Sequence, residues 1–231
     1  MNKAKRELNC ETCDYKSYLF DTLNHEEQLE VNGNKTERNY RRGEIVCREG
    51  DEIREFIYLK EGLVKLYQEA TGRHEHILSI AKPMDFIGLL TVFSNSTYLY
   101  SIRAVEDSSL CFIKLDTIKT IIKQNGDFAL SILEKMSTIS DQVLKTQIDL
   151  AGKQLRGRIA YIILLFADQI YHSAKFDLPI SRKELGDLIE MRTENVIRTL
   201  SEFRKDGILH IEGKTLEIRN MDLLRKISEL G

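Results

Sequence analysis

The chain has 231 residues, 42% of them hydrophobic, with a formal net charge of −2 and four cysteines. That length holds two small domains, or one domain with an extension, and the apolar content excludes a disordered chain. The charge excludes a globally basic nucleic-acid coat but not a local basic face, because binding depends on where charge sits.

No stretch reaches the ~18 consecutive apolar residues that a membrane helix needs. The longest apolar run, "IAYIILLF", is followed by Ala-Asp-Gln. The N-terminus has neither the apolar core nor the cleavage site of a signal peptide. A cytoplasmic protein without membrane contact is expected. Cysteines in that compartment are reduced, metal-bound or redox-active more often than they form structural disulfides.

Residues 1–22 form a polar tail in which Cys10 and Cys13 make a C-x-x-C. Residues 23–31, "LNHEEQLEV", predict a short helix. From about residue 40 to 115 the pattern has period two, as in "EFIYLKEGLVKLYQE" and "HEHILSIAK", and such alternation marks strands. Glycines punctuate the strands, and "EATGRHEH" predicts a hairpin turn with Gly72 at positive φ. Short strands at this spacing imply a β-sandwich or roll, taken as residues 23–125.

"LDTIKTIIKQN" predicts a short helix, and a long helix follows over 126–151. Its residues Ile132, Met136, Ile139, Val143, Thr146 and Leu150 are spaced 4, 3, 4, 3, 4. That is a coiled-coil seam rather than a broad stripe, so an identical partner is expected, with Thr146 weakening one layer. Packing on the chain's own β domain is the alternative. The stretch "AGKQLRGRIAYIILLFADQIY" continues helically with a broader apolar face.

Residues 152–231 close the chain. Ser181 and Glu184 form a capping box that starts a helix with Leu185, Leu188 and Ile189 facing inward. Thr193 is expected to cap a second helix, with Val196, Leu200 and Phe203 inward. Gly186 supplies the small residue where the two helices cross. "GILHIEGKTLEIRN" predicts a hairpin turning at Glu212-Gly213-Lys214. Helix, turn, helix and hairpin make a winged helix-turn-helix, which places its second helix in the DNA major groove.

On that helix Thr193, Glu194, Ile197 and Arg198 face outward. Glutamate accepts from cytosine N4, arginine donates to guanine O6 and N7, and an apolar side chain suits a thymine methyl. Glu194 and Arg198, four apart, are also expected to hold each other; an ordinary solvated ion pair is the bland alternative. Ser181, Arg182, Lys183, Arg192, Lys205 and Lys214 are expected on phosphates, giving affinity rather than sequence choice.

The layout resembles the CRP/FNR family of bacterial transcription regulators from about residue 20 onward. "RRGEIVCREGDEIREFIYLKEGLVKLY" is similar to its cyclic-nucleotide-binding-type β-roll, and "GDLIEMRTENVIRTLSEFRKDGIL" to its DNA-binding signature. The implied fold is α+β: β-roll, long dimerisation helix, C-terminal winged helix-turn-helix. The resemblance implies a non-enzymatic homodimer on a palindromic promoter site with a TGA-like half-site core, contacting RNA polymerase. Glu190 stands where the family commonly has a glycine in the turn, so the turn is expected to relax differently here.

Cyclic-AMP-responsive members carry a glutamate and an Arg-Ser pair on the cyclic phosphate. Here Leu89 takes the glutamate position and "TYLY" replaces the Arg-Ser region. No response to cyclic AMP is therefore expected. Arg103 matches a structural family arginine. Phe86, Leu89, Phe93, Tyr98, Tyr100 and Arg103 remain a candidate pocket for an unknown effector, with plain core packing as the alternative.

Cys111 matches the distant cluster ligand of oxygen-sensing members. With Cys10 and Cys13 it makes three donors for an iron–sulfur cluster or zinc, one short of four. Cys47 matches a core position. A redox enzyme on C-x-x-C lacks its βαβ setting, and a ligand module acting only through protein contacts leaves the reading helix without a purpose.

Overall fold

The structure, a computed structural model, describes residue 13, residues 17–70 and residues 74–231. Cys10 and the turn expected at Gly72 lie outside the described residues. The chain divides into two compact units. One takes the described residues up to Leu66 together with Ile80–Asp141; the other takes the described residues of 67–79 and Gln142–Gly231.

A 3₁₀ turn, Tyr18–Thr22, leads into α1, His25–Gly33. Asn24 and Glu27 form a reciprocal capping box there, which starts the helix two residues later than its apolar pattern suggests. Eight strands follow: β1 Lys35–Tyr40, β2 Ile45–Cys47, β3 Glu55–Glu61, β4 Val64–Ala70, β5 His74–Ala81, β6 Phe86–Ile87, β7 Ser101–Ala104 and β8 Ser108–Lys114. They form two four-stranded sheets, ordered β1-β8-β3-β6 and β2-β7-β4-β5. β8 pairs with β1 on one edge and β3 on the other. Flanked on both edges, its run Ser108–Ile113 is buried throughout. Gly62 (φ 82) is obligatory, since a Cβ there would meet the Asp107 carbonyl and Ser108.

Helices α2, Leu115–Gln124, and α3, Gly126–Ala151, follow. The first half of α3 corrects the expected seam. Ile132 is 3% exposed inside the roll's core, beside Phe128, and Met136 and Ile139 pack against the same cluster. The chain's own β domain covers these residues, because a heptad spacing names a helix face and not the surface that meets it. Lower on the helix Val143 is exposed, Leu150 is half-buried and Thr146 Oγ1 lies 3.4 Å from the Tyr161 hydroxyl. Apart from Val143, the exposed large apolar residues of the helix are Leu130, Leu133, Leu144 and Ile148. At 100° per residue they lie roughly a third of a turn from the expected seam.

α3 ends at Ala151, and α4, Leu155–Leu165, begins after a break at 152–154. A π-helical turn, Phe166–Ile170, closes α4. Then come β9 Lys175–Asp177, α5 Arg182–Leu188, α6 Thr193–Lys205, β10 Leu209–Glu212, β11 Thr215–Ile218 and α7 Met221–Leu230. The hairpin turns at Gly213, φ 59. β9 adds a third strand in the order β10-β11-β9. α7 is capped by Asn220, whose side chain accepts from the Leu223 N–H.

Candidate nucleic-acid interface

The helix-turn-helix is built from local bonds first. Ser181 Oγ accepts from the Glu184 N–H at 3.1 Å, and Glu184 Oε2 accepts from the Ser181 N–H at 2.8 Å. α5 meets the chain entering α6 at Gly186, where a Cβ would stand 2.5 Å from the Met191 carbonyl oxygen. The Met191 N–H donates to the Gly186 carbonyl at 2.8 Å. The turn does not relax around Glu190, which takes a left-handed conformation at φ 56. Arg158 on α4 braces it by donating to the Lys153 carbonyl at 3.0 Å and the Ile189 carbonyl at 3.2 Å. That bend makes Arg192 the last extended residue, so Arg192 and not Thr193 holds the N-cap position, without a side-chain bond.

α6 buries Val196, Thr199, Leu200 and Phe203. Its other face exposes Glu194, Ile197 and Arg198, with Thr193 half-buried at the start. Glu194 and Arg198 do not hold each other. Among the described residues the ion pair of Arg198 is to Glu202, Nε to Oε1 at 3.9 Å. Glu202 in turn binds Arg156 of α4 at 2.9 Å, and Arg156 reaches Asp206 at 2.9 Å. The Arg156 guanidinium lies 4.9 Å from the centroid of the buried Phe203 ring. Its bond to Asp206 raises its pKa above the ordinary value despite burial. Arg156 was invisible to pattern reading because its partners lie 46 and 50 residues away.

Around this face Lys183, Arg192, Lys205 and Lys214 are exposed. Arg182 is half-buried, its pKa lowered by burial, and it donates to the Gly213 carbonyl at 3.3 Å. It thereby ties the start of α5 to the tip of the hairpin. Thr215 Oγ1 donates to Asp177 Oδ1 at 2.6 Å across β11 and β9.

In the roll, Phe86, Leu89, Tyr98 and Tyr100 belong to the buried core, while Phe93 is partly exposed and Arg103 half-buried. The Tyr100 hydroxyl lies 3.1 Å from Thr91 Oγ1 and would lie 3.1 Å from a Cβ on Gly88. Burial pushes the Tyr98 and Tyr100 phenols upward in pKa.

Cys111 is buried on β8, opposite Glu37 and Tyr58 in register, and Cys13 is half-buried. Lys60 Nζ sits 3.3 Å from both Glu37 carboxylate oxygens. Burial lowers the Lys60 pKa, but Glu37, with smaller help from Cys13 and Cys111, raises it on balance. Among the described residues no group of three His, Cys, Asp or Glu side chains could hold a metal ion. Of the four cysteines, Cys13, Cys47 and Cys111 are described and Cys10 lies outside the described residues, so the described thiols do not make the set of four that an iron–sulfur cluster takes. Cys47 is half-buried rather than fully enclosed; burial and then Asp51 push its thiol up to about 12.

Two family models match the chain: a cyclic nucleotide-binding domain over residues 37–125 and a Crp-like helix-turn-helix domain over 157–227. The chain belongs to the CRP/FNR family. It is a DNA-binding transcription regulator of that type and not an enzyme. The transcriptional activator protein FnrA of Stutzerimonas stutzeri is 24% identical over 95% of this chain and 91% of its own. The fumarate and nitrate reduction regulatory protein of Escherichia coli is 22% identical over 96% and 90%. In fold, this CRP/FNR regulator is similar to FixK2 from Bradyrhizobium japonicum, with a TM-score of 0.76 at 21% identity over 85% and 98% of the two chains. A crp/fnr-family regulator from Eubacterium rectale gives 0.76 at 20% identity over 93% and 99%. No helix among the described residues is long and apolar enough to cross a membrane.

Proposed function

We propose that this regulator acts as a homodimer on a palindromic promoter site whose half-sites share a TGA-like core. The observation that carries this reading is the outward face of α6. Glu194, Ile197 and Arg198 stand exposed there on a helix whose opposite face is locked by Val196, Leu200 and Phe203. Arg198 would donate to guanine O6 and N7, Glu194 would accept from cytosine N4, and Ile197 would meet a thymine methyl. Thr193 stands at the helix start for an outer base. Ser181, Arg182, Lys183, Arg192, Lys205 and Lys214 would bind phosphates and set register and salt dependence.

Dimer formation is assigned to the outward stripe of α3. Leu130, Leu133, Leu144 and Ile148 lie exposed there, with the small residues Ser137 and Ser140 between them. Two such helices would bury these side chains against each other and hold two α6 helices for successive major grooves, about 34 Å apart. The dimer would contact RNA polymerase, as the family does.

Cyclic AMP is not its effector in this reading. Leu89, Tyr98 and Tyr100 fill the core where a cyclic phosphate would need a cationic partner. A thiol- or metal-based input would draw on Cys10, Cys13 and Cys111, of which Cys111 is buried on β8 and Cys13 half-buried. Fluorescence anisotropy with a duplex bearing two inverted TGA-core half-sites tests the main reading. Preference over scrambled duplex is expected; equal binding to both rejects it.

A further inference from the structure

Resting on that reading of α6, we propose that Glu202 is a positioning residue for sequence selection, holding Arg198 away from Glu194 so that both are available to bases. Glu194 and Arg198 are four apart, the spacing at which oppositely charged helix side chains pair. A reading pair that neutralises itself must be pulled apart before either member meets a base edge. In the structure Arg198 has a different partner. Arg198 leans toward Glu202, Nε to Oε1 at 3.9 Å, and the contact is loose enough to be exchanged for a guanine.

Glu202 can compete because it is already ordered. Its Oε2 is held by Arg156 at 2.9 Å, and Arg156 is fixed by Asp206 at 2.9 Å and by the Phe203 ring beneath it. An isolated exposed pair must order both side chains for each other, whereas a network has ordered one in advance. The chain Asp206–Arg156–Glu202–Arg198 therefore runs from a buried ring to the reading face. Glu202 also places a negative charge near the groove, which disfavours every duplex alike through repulsion with phosphates. It trades some overall affinity for discrimination.

The test is anisotropy on the full-length protein, using the inverted TGA-core duplex and a scrambled duplex at fixed salt, for wild type, Glu202→Gln, Arg198→Ala and the double variant. Glu202→Gln is expected to tighten binding to scrambled duplex while lowering the ratio of specific to scrambled affinity by roughly two- to fivefold, the range measured for exposed ion pairs. In the Arg198→Ala background the same substitution should leave the ratio unchanged. Arg156→Met, which keeps the stem over Phe203 but frees Glu202, should move the ratio in the same direction. A purely structural role would weaken both duplexes together and lower the unfolding midpoint, and that result overturns the proposal. An unchanged ratio in Glu202→Gln, or an equal change with and without Arg198, overturns it too. If Arg198→Ala alone leaves the wild-type ratio intact, the reading of α6 has failed rather than the role of Glu202.

Discussion

Arg158 on α4 donates to the carbonyl of Ile189 at 3.2 Å, one residue before the left-handed Glu190. A guanidinium thus anchors the turn between the two helices at the point where the backbone is most strained. An L-residue in that conformation costs about 1–2 kcal/mol. Glu190→Gly is expected to raise stability by about 1 kcal/mol. Arg158→Met should lower it by about 1–3 kcal/mol, because a carbonyl loses a charged donor. Urea unfolding checks both signs; a Glu190→Gly variant less stable than wild type refutes the strain argument.

Gly186→Ala should be destabilising although alanine favours helices. The new methyl would stand 2.5 Å from the Met191 carbonyl oxygen, which is backbone and cannot swing aside. Overpacking of this kind costs about 1–3 kcal/mol, against a gain of about 1 kcal/mol in helix propensity. A lower thermal midpoint and weakened binding to the TGA-core duplex are expected.

The two faces of α3 should respond oppositely. Leu144→Glu puts a charge on the outward stripe and is expected to give folded monomers with little binding to the palindromic duplex. Ile132→Ala empties a site in the roll's core and should cost about 2–5 kcal/mol of stability while leaving the dimer intact. Sedimentation velocity with circular dichroism separates the outcomes. A dimeric Leu144→Glu protein removes the assigned interface.

Arg198→Ala should reduce preference for the TGA-core duplex over a guanine-substituted one by about 1–3 kcal/mol, the worth of one bidentate base contact. Lys214→Ala should weaken both duplexes alike and flatten the salt dependence by about one counterion. Competition anisotropy at several salt concentrations reads both. An undiminished preference in Arg198→Ala moves base reading elsewhere.

Millimolar cyclic AMP should change neither the thermal midpoint nor DNA affinity. A ligand present at a hundredfold its Kd adds about 2.7 kcal/mol to the stability of the state it binds, so a real complex would be plain in a thermal scan. A midpoint that climbs with added nucleotide contradicts the filled core around Leu89, Tyr98 and Tyr100.

Several elements were legible because their causes are local. The Ser181–Glu184 capping box spans four residues, the β10–β11 hairpin turns at Gly213, and the crossing glycine is Gly186. β9 and α7 were not among the expected elements. Only Asn220 and the apolar residues after it hinted at α7, and nothing in three residues of "KFD" announces a strand until β11 pairs with it.

By itself the sequence determined the helix-turn-helix, the roll and the outward placement of Glu194, Ile197 and Arg198, because caps, turns and periodicity act over a few residues. Only the tertiary structure decided that Ile132, Met136 and Ile139 belong to the roll, and that Arg198 leans on Glu202 instead of Glu194. Those outcomes depend on surfaces and charges brought together from distant parts of the chain. Periodicity along one helix carries no information about what arrives to cover it.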